Sequence, residues 1–252
     1  MELWQAGALA LVGVLAGWLN VMAGGGSLLT VPMMVFFGMP GNVANGTNRI
    51  AILAQNVVAV GAFRSKGFSD FKLSATLAVA ACVGAAGGAQ VGVRLSGEAF
   101  DRVVALVMVA VLILMLTGGD KTVSKPAEDA EPGKPKNLLL GHALMIGAGF
   151  WGGFIQIGVG FILMPILHRV MGFDLVRVNM HKVAIVLAYT IVALALYAAQ
   201  VQIVWVAGLA LALGNSIGGW LGAHTTIAKG EVWIRRVFVL AVIAMIAGLV
   251  LR

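Results

Sequence analysis

The sequence predicts an all-α polytopic membrane protein of two inverted repeats, with broken or re-entrant helices at its glycine-rich motifs. Three observations lead there. Of 252 residues, 60% are apolar and only 11% charged, whereas a soluble domain carries about 25% charged residues to cover its core. The apolar residues lie in tracts long enough for membrane helices, and mean hydropathy is +0.99. Landmarks of the first half return in the second at a constant offset of 133 residues.

The first tract, Leu3 to Phe37, would form a straight helix of roughly 52 Å, far beyond a hydrocarbon core of about 30 Å. Gly24-Gly25-Gly26 lies inside it, so the helix is expected to break there. The start has Glu2 and no basic residue, which does not suit a signal peptide. Further tracts run from Ile50 to Phe63, Leu73 to Val93 and Val103 to Leu116. The segment 118–137, GGDKTVSKPAEDAEPGKPKN, is rich in proline and charge and reads as a solvated linker. It separates a first repeat, 1–117, from a second, 138–252. In the second repeat the tract from Leu138 to Leu167 is broken near Gly158-Val159-Gly160. The tract from Val183 to Leu213 is too long for one span, and Gln200 and Gln202 mark a turn within it. Val237 to Leu251 closes the chain.

The repeat is visible residue by residue. GWLNVMAGGGSLLTVP ends at Pro32 and GFWGGFIQIGVGFILMP at Pro165; Pro32 to Arg49 and Pro165 to Lys182 both span 17 residues. Internal duplication of this kind is a transporter signature. Charge decides the topology. If each half crosses an odd number of times, Arg64, Lys66, Lys72, Lys121, Lys125, Lys134, Lys136, Arg169, Arg177, Lys229, Arg235 and Arg236 share one side, and only Arg94, Arg102 and Arg252 face them. That imbalance puts the linker in the cytoplasm and both termini outside.

All ten acids fall at termini, loops or helix ends. Arg49 and Lys182 instead sit inside helices, where an ionisable group is costly and usually functional. Two buried cations without an acid partner point to an anion. Gly24, Gly25, Gly26 and Ser27 open one short helix, and Gly158 and Gly160 open its counterpart; exposed N–H groups and the positive dipole end favour an anion there. Asn45, Thr47 and Asn48 precede Arg49 in ANGTNR. Asn179 and His181 precede Lys182 in VNMHK, and Gln156 precedes the second break. These neutral groups complete the candidate site. His181, with an unperturbed pKa near neutrality, is its one candidate for proton linkage.

Other functions lack parts. H-E-x-x-H, G-x-S-x-G and a cysteine pair are all missing from the sequence, and four scattered His outline no metal cluster. An enzyme is therefore not expected, nor a cofactor. The single cysteine, Cys82, excludes an intrachain disulfide. The net charge of +7 comes without a basic run interleaved with aromatics, so nucleic acid is not an expected partner. The expected partners are a small anion and the lipid bilayer, with homo-oligomerisation left open. An anion channel and a membrane scaffold that moves nothing are the alternatives.

The glycine break before Pro32, the A-x-G-T element in ANGTNR, the repeat ending at Pro165 and the stretch GGWLGAHTTIAKGEVWIRRVF resemble the sulfite exporter TauE/SafE family. The resemblance covers nearly the whole chain apart from the linker. It implies a multi-pass permease of the bacterial inner membrane, exporting sulfite, sulfoacetate or other organosulfur anions. The second half departs from the family pattern, with IQIGVG where a fuller glycine run is common.

Overall fold

The computed structural model describes residues 2–95, 97–117 and 135–228. Most of the expected linker and the closing tract from Val237 to Leu251 lie outside the described residues. The described chain is helical, with no strand. In order come α1 (Leu3–Ala23), α2 (Ser27–Phe36), α3 (Gly41–Ser65), α4 (Phe71–Arg94), α5 (Glu98–Thr117), α6 (Leu138–Phe154), α7 (Val159–Pro165), α8 (Leu175–Gln200) and α9 (Trp205–Ala228). A π-helical turn, Ile166–Val170, follows α7 immediately after Pro165. Proline cannot donate to the helix ladder, and such turns are where the ladder is re-registered.

Shifting α1 to α4 by 133 residues brings their starts to within two residues of α6 to α9. The turn expected at Gln200 and Gln202 falls between α8 and α9. Both expected breaks are present. Gly24 ends α1 in the left-handed region with φ 79°, its N–H donating to the Asn20 and Leu19 carbonyls. Gly158 precedes α7 with φ 72°.

Contacts along the helices give their directions. Ala10, Val14 and Trp18 of α1 meet Gly214, Gly218 and Gly222 of α9 in that order, so the two run parallel. Ile50 and Gln55 of α3 meet Gly208 and Gly219 of the same α9. In a second group, Ala81 and Ala85 of α4 meet Gly149 and Gly153 of α6, while Ser74 meets His181 of α8. The two groups oppose each other: Asn45 at the start of α3 bonds Tyr197 near the end of α8. The most extensive packing runs between halves, α1 on α9 and α6 on α4.

The end of each short helical segment lies beside the start of the helix before it. Gly26 lies against the Ala16 carbonyl and Asn20 of α1, and Phe37, just past α2, stacks edge-on with Trp4, the ring centroids 5.4 Å apart. In the second half, Met171 after the π-turn accepts from the Lys136 N–H at 2.9 Å, and Asn137 Nδ2 donates to the Val170 carbonyl. Trp4 and Phe37 shifted by 133 are Asn137 and Val170.

The residue pattern suits lipid. On α9, Trp205, Val206, Leu209, Leu213, Ile217 and Trp220 face outward while Ala207, Leu211 and Asn215 are buried. On α4, Val79, Val83 and Val91 face outward while Ala81, Ala85 and Ala89 are buried. Large apolar groups outside and small or polar ones inside reverse the order of a soluble bundle, since in lipid the helices gain from close packing rather than from hiding apolar surface. Four helices, Leu3–Met22, Phe71–Arg94, Leu175–Gln200 and Trp205–Thr226, are long and apolar enough to cross a membrane. Helix α3 is 25 residues long, but Asn45, Thr47, Asn48 and Arg49 lower its hydropathy.

Close approach predicts a mutational contrast. A Cβ at Gly88 would overlap the Phe150 carbonyl of α6, whereas Gly147 has open space around its Cα. Gly88→Leu is expected to destabilise the protein by about 1–3 kcal/mol or more, and Gly147→Leu to leave it close to wild type. Thermal melting of both variants in detergent checks this.

Candidate functional site

Each helix break in a membrane creates the same problem. The last carbonyls of the helix lose their intrahelical donors, and no water is present to replace them. At the end of α6 three side chains supply the donors. Arg49 of α3 donates from Nη1 to the Gly152 carbonyl at 3.0 Å and from Nη2 to the Gly153 carbonyl. The Phe154 carbonyl accepts from Asn45 Nδ2 at 3.0 Å and from the Tyr197 hydroxyl at 2.8 Å. The Arg49 guanidinium also stands over the Tyr197 ring, 4.4 Å from its centroid.

The end of α1 is treated in kind by the second half. Lys182 of α8 donates from Nζ to the Val21 carbonyl and to Asn179 Oδ1, both at 2.6 Å. Thus the cation of each half grips the broken helix of the other. Arg49 is 0% and Lys182 2% exposed, which rules out snorkelling to the interface. Other described cations, such as Arg64, Lys66, Lys72, Arg94 and Arg169, are exposed.

The two breaks abut. A Cβ at Gly24 would overlap the backbone of Gly160, and one at Gly160 the backbone of Gly24. Only glycine permits this approach. The start of α2 is tied to α3: Asn48 donates from Nδ2 to Ser27 Oγ at 3.1 Å and accepts from Thr30 Oγ1 at 2.7 Å. Gly25 and Gly26 are buried beside this junction. Gln156 lies in the second break with φ 63°, a region non-glycine residues seldom adopt. It is buried, and among the described residues neither atom of its amide has a hydrogen-bond partner.

The structure therefore brings together most of the residues singled out in the sequence. Gly24, Gly25, Gly26, Ser27, Asn48, Gly158 and Gly160 form the central junction. Asn45 and Arg49 flank it at one helix end, and Asn179 and Lys182 at the other. Two residues point elsewhere. Thr47 Oγ1 accepts from the Val204 N–H at 3.1 Å, which ties α3 to the start of α9. His181 Nδ1 pairs with Ser74 Oγ at 2.8 Å and its ring lies 4.6 Å from that of Phe173, so it faces α4 rather than the junction.

Tyr189 and Tyr197 are the site residues that sequence reasoning missed. They are the only two tyrosines in the chain, and both are fully buried. Their signal was faint but present: Tyr189 follows Lys182 by seven residues and Tyr197 follows Tyr189 by eight, spacings that hold all three on the inward side of an otherwise apolar helix.

The electrostatics are one-sided. A helix C-terminus carries about −0.5 of an elementary charge, so a +1 cation at each end leaves a surplus of about +0.5 at both. Among the described side chains no carboxylate is buried to offset it.

Comparison with known proteins agrees with this architecture. The family model for the sulfite exporter TauE/SafE matches residues 9–249. A probable membrane transporter protein of Haemophilus influenzae is 25% identical over 239 residues, covering 95% of this chain and 92% of that protein. The probable membrane transporter protein YfcA of Escherichia coli is 25% identical over 246 residues, covering 96% and 88%. One from Xylella fastidiosa is 25% identical over 231 residues, covering 90% and 87%. No solved structure matches the chain. With the family pattern running through both halves and both glycine breaks, the chain belongs to the sulfite exporter TauE/SafE family of membrane transporters.

Proposed function

We propose that this protein exports small sulfur-containing anions, such as sulfite or organosulfonates, across the bacterial inner membrane by alternating access. One observation carries the reading: two buried cations, Arg49 and Lys182, flank the junction of two helix breaks, with no buried carboxylate among the described side chains. A small anion is the ligand that such a field accommodates. Family membership makes the chain a transporter, and the description of that family names sulfite.

The transport frame we propose is a pair of inverted repeats, 1–117 and 138–252, joined by a cytoplasmic linker. Support comes from helix direction, since α3 and α8 occupy equivalent places in the two halves and run opposite ways. The hairpin form of the breaks is supported by Phe37 returning to Trp4 and Met171 to Lys136. Residues Arg64 to Lys72 lie at the same end as Asp174 and Arg177, because Phe63 and Phe68 pack with Val176 and Met180. That grouping agrees with the charge imbalance. The substrate site in this reading is the junction, with Arg49 and Lys182 supplying charge and the broken-helix tips their N–H groups.

Three outcomes are expected. In proteoliposomes loaded with radiolabelled sulfite, Arg49→Gln and Lys182→Gln each lower flux at least about tenfold, which corresponds to about 1.4 kcal/mol of lost attraction. Arg102→Ala, an exposed control, transports normally. Wild-type rates in both cation variants would sink the anion site. In a Cys82→Ala background, single cysteines at Lys66 and Asp129 react with impermeant reagent only from the cytoplasm, and one on a C-terminal extension only from outside. Finding all three on one side contradicts the inverted frame. An imposed sodium gradient drives no flux, because no intramembrane carboxylate is expected to hold the ion; a sodium-driven flux would contradict this.

A further inference from the structure

The two cations are equivalent in the sequence but not in the structure. Lys182 is committed to the Val21 carbonyl and Asn179. Arg49 uses Nη1 and Nη2 on α6, while its Nε–H has no hydrogen-bond partner among the described residues. The ring of Tyr189 packs against Gly152, whose carbonyl Arg49 holds. Its hydroxyl lies beside that Gly152 backbone, within reach of Arg49 and the Gln156 side chain, and by hydrogen-bond geometry neither contact closes among the described residues. Arg49, Tyr189 and Gln156 are 0%, 0% and 1% exposed. Three side chains on three elements (α3, α8 and the break after α6) thus carry buried donors that close no hydrogen bond among the described residues. Leaving such groups unpaired is expensive, and native structures do so rarely and usually for a purpose.

The matching place in the other half has nothing similar. Shifted by 133, Tyr189 becomes Asn56 and Gln156 becomes Ala23. Asn56 Nδ2 donates to the Ile52 carbonyl of its own helix at 2.7 Å, and alanine offers no side-chain donor. Gln156 moreover keeps a left-handed backbone where glycine fits without strain. Strain of this kind tends to persist at functional positions.

Resting on the anion-exporter reading above, we propose that the anion docks at the α6 end alone, accepting hydrogen bonds from Arg49 Nε–H, the Tyr189 hydroxyl and the Gln156 amide. Lys182 then holds α1 in place and acts on the anion only through its field. Three donors suit the three oxygens of a sulfite or sulfonate group, whereas a carboxylate offers two. Tyr189 and Gln156 are therefore the residues that set ligand class.

The test is equilibrium binding of radiolabelled sulfite to the purified full-length chain in detergent, with thermal melting of the same samples. Tyr189→Phe should weaken sulfite binding about tenfold or more, the loss of one hydrogen bond to a charged acceptor. Its melting temperature should hold, because the hydroxyl closes no hydrogen bond among the described residues. Gln156→Gly should weaken binding to a similar degree and melt no lower than wild type, as glycine relieves the left-handed backbone. Asn56→Ala, at the equivalent place in the first half, should bind sulfite normally, and unlabelled methanesulfonate should displace sulfite better than acetate does. Wild-type sulfite affinity in both Tyr189→Phe and Gln156→Gly would overturn the assignment while leaving the exporter intact. A wild-type chain that binds neither sulfite nor methanesulfonate would remove the anion reading itself, and this site with it.

Discussion

A helix that ends inside a membrane must have its last carbonyls satisfied by the protein, and the rest of this structure follows from that need. The α6 end is the fuller case. Trp151 O accepts from the Ile155 and Gln156 N–H groups; Gly152, Gly153 and Phe154 are served by Arg49, Asn45 and Tyr197. At α1, Gly24 N–H takes the Leu19 and Asn20 carbonyls and Lys182 takes Val21. Cations are well placed at both ends, because they bond the carbonyls and oppose the negative end of the helix dipole. A neutral donor could do only the first.

Close packing makes this capping geometry reachable. Arg49 meets α6 because α6 lies tightly against α4, through Gly84, Gly88, Gly149 and Gly153. Lys182 meets α1 from the opposite group of helices, and the two breaks touch at Gly24 and Gly160. In lipid such contacts are held by dispersion and hydrogen bonds rather than by burial of apolar area. The glycines therefore contribute to stability by what they leave out. The polar bridge from Gln55 to Asn20 and Asn215 adds a second tie between α3, α1 and α9.

Because each cation grips the other half, the halves are mechanically linked. Any displacement of α3 relative to α6 must either carry Gly152 and Gly153 along or break the two guanidinium bonds. The capping groups are also the source of the positive field at the junction, so the anion proposed for it would meet the same side chains that hold the helix ends. On that proposal, structure and charge recognition are not separable at Arg49. They are more nearly separable at Tyr189 and Gln156, whose side-chain polar atoms close no hydrogen bond among the described residues.

Periodicity and composition were enough to establish the class of this protein, its helix content, the turn at Gln200 and Gln202, both glycine breaks, and Arg49 and Lys182 as interior cations. Those features depend on local chemistry: apolar length, the conformational freedom of glycine, and the cost of a charge in hydrocarbon. The charge imbalance and the 133-residue offset carried the expectation of opposed halves. Partners were another matter. Arg49 finds its acceptors more than 100 residues away in sequence, on backbone carbonyls that no motif advertises. Thr47 and His181 sit beside Asn48 and Lys182 in the chain, yet successive residues on a helix point about 100° apart, and packing turned both toward other neighbours. Tyr189 and Tyr197 belong to no motif, and their place beside the end of α6 shows only in the packing of α8. Sequence spacing determines which residues share a helix face; only the tertiary structure decides which helix that face meets, because rotation and register are set by how small residues interlock between helices.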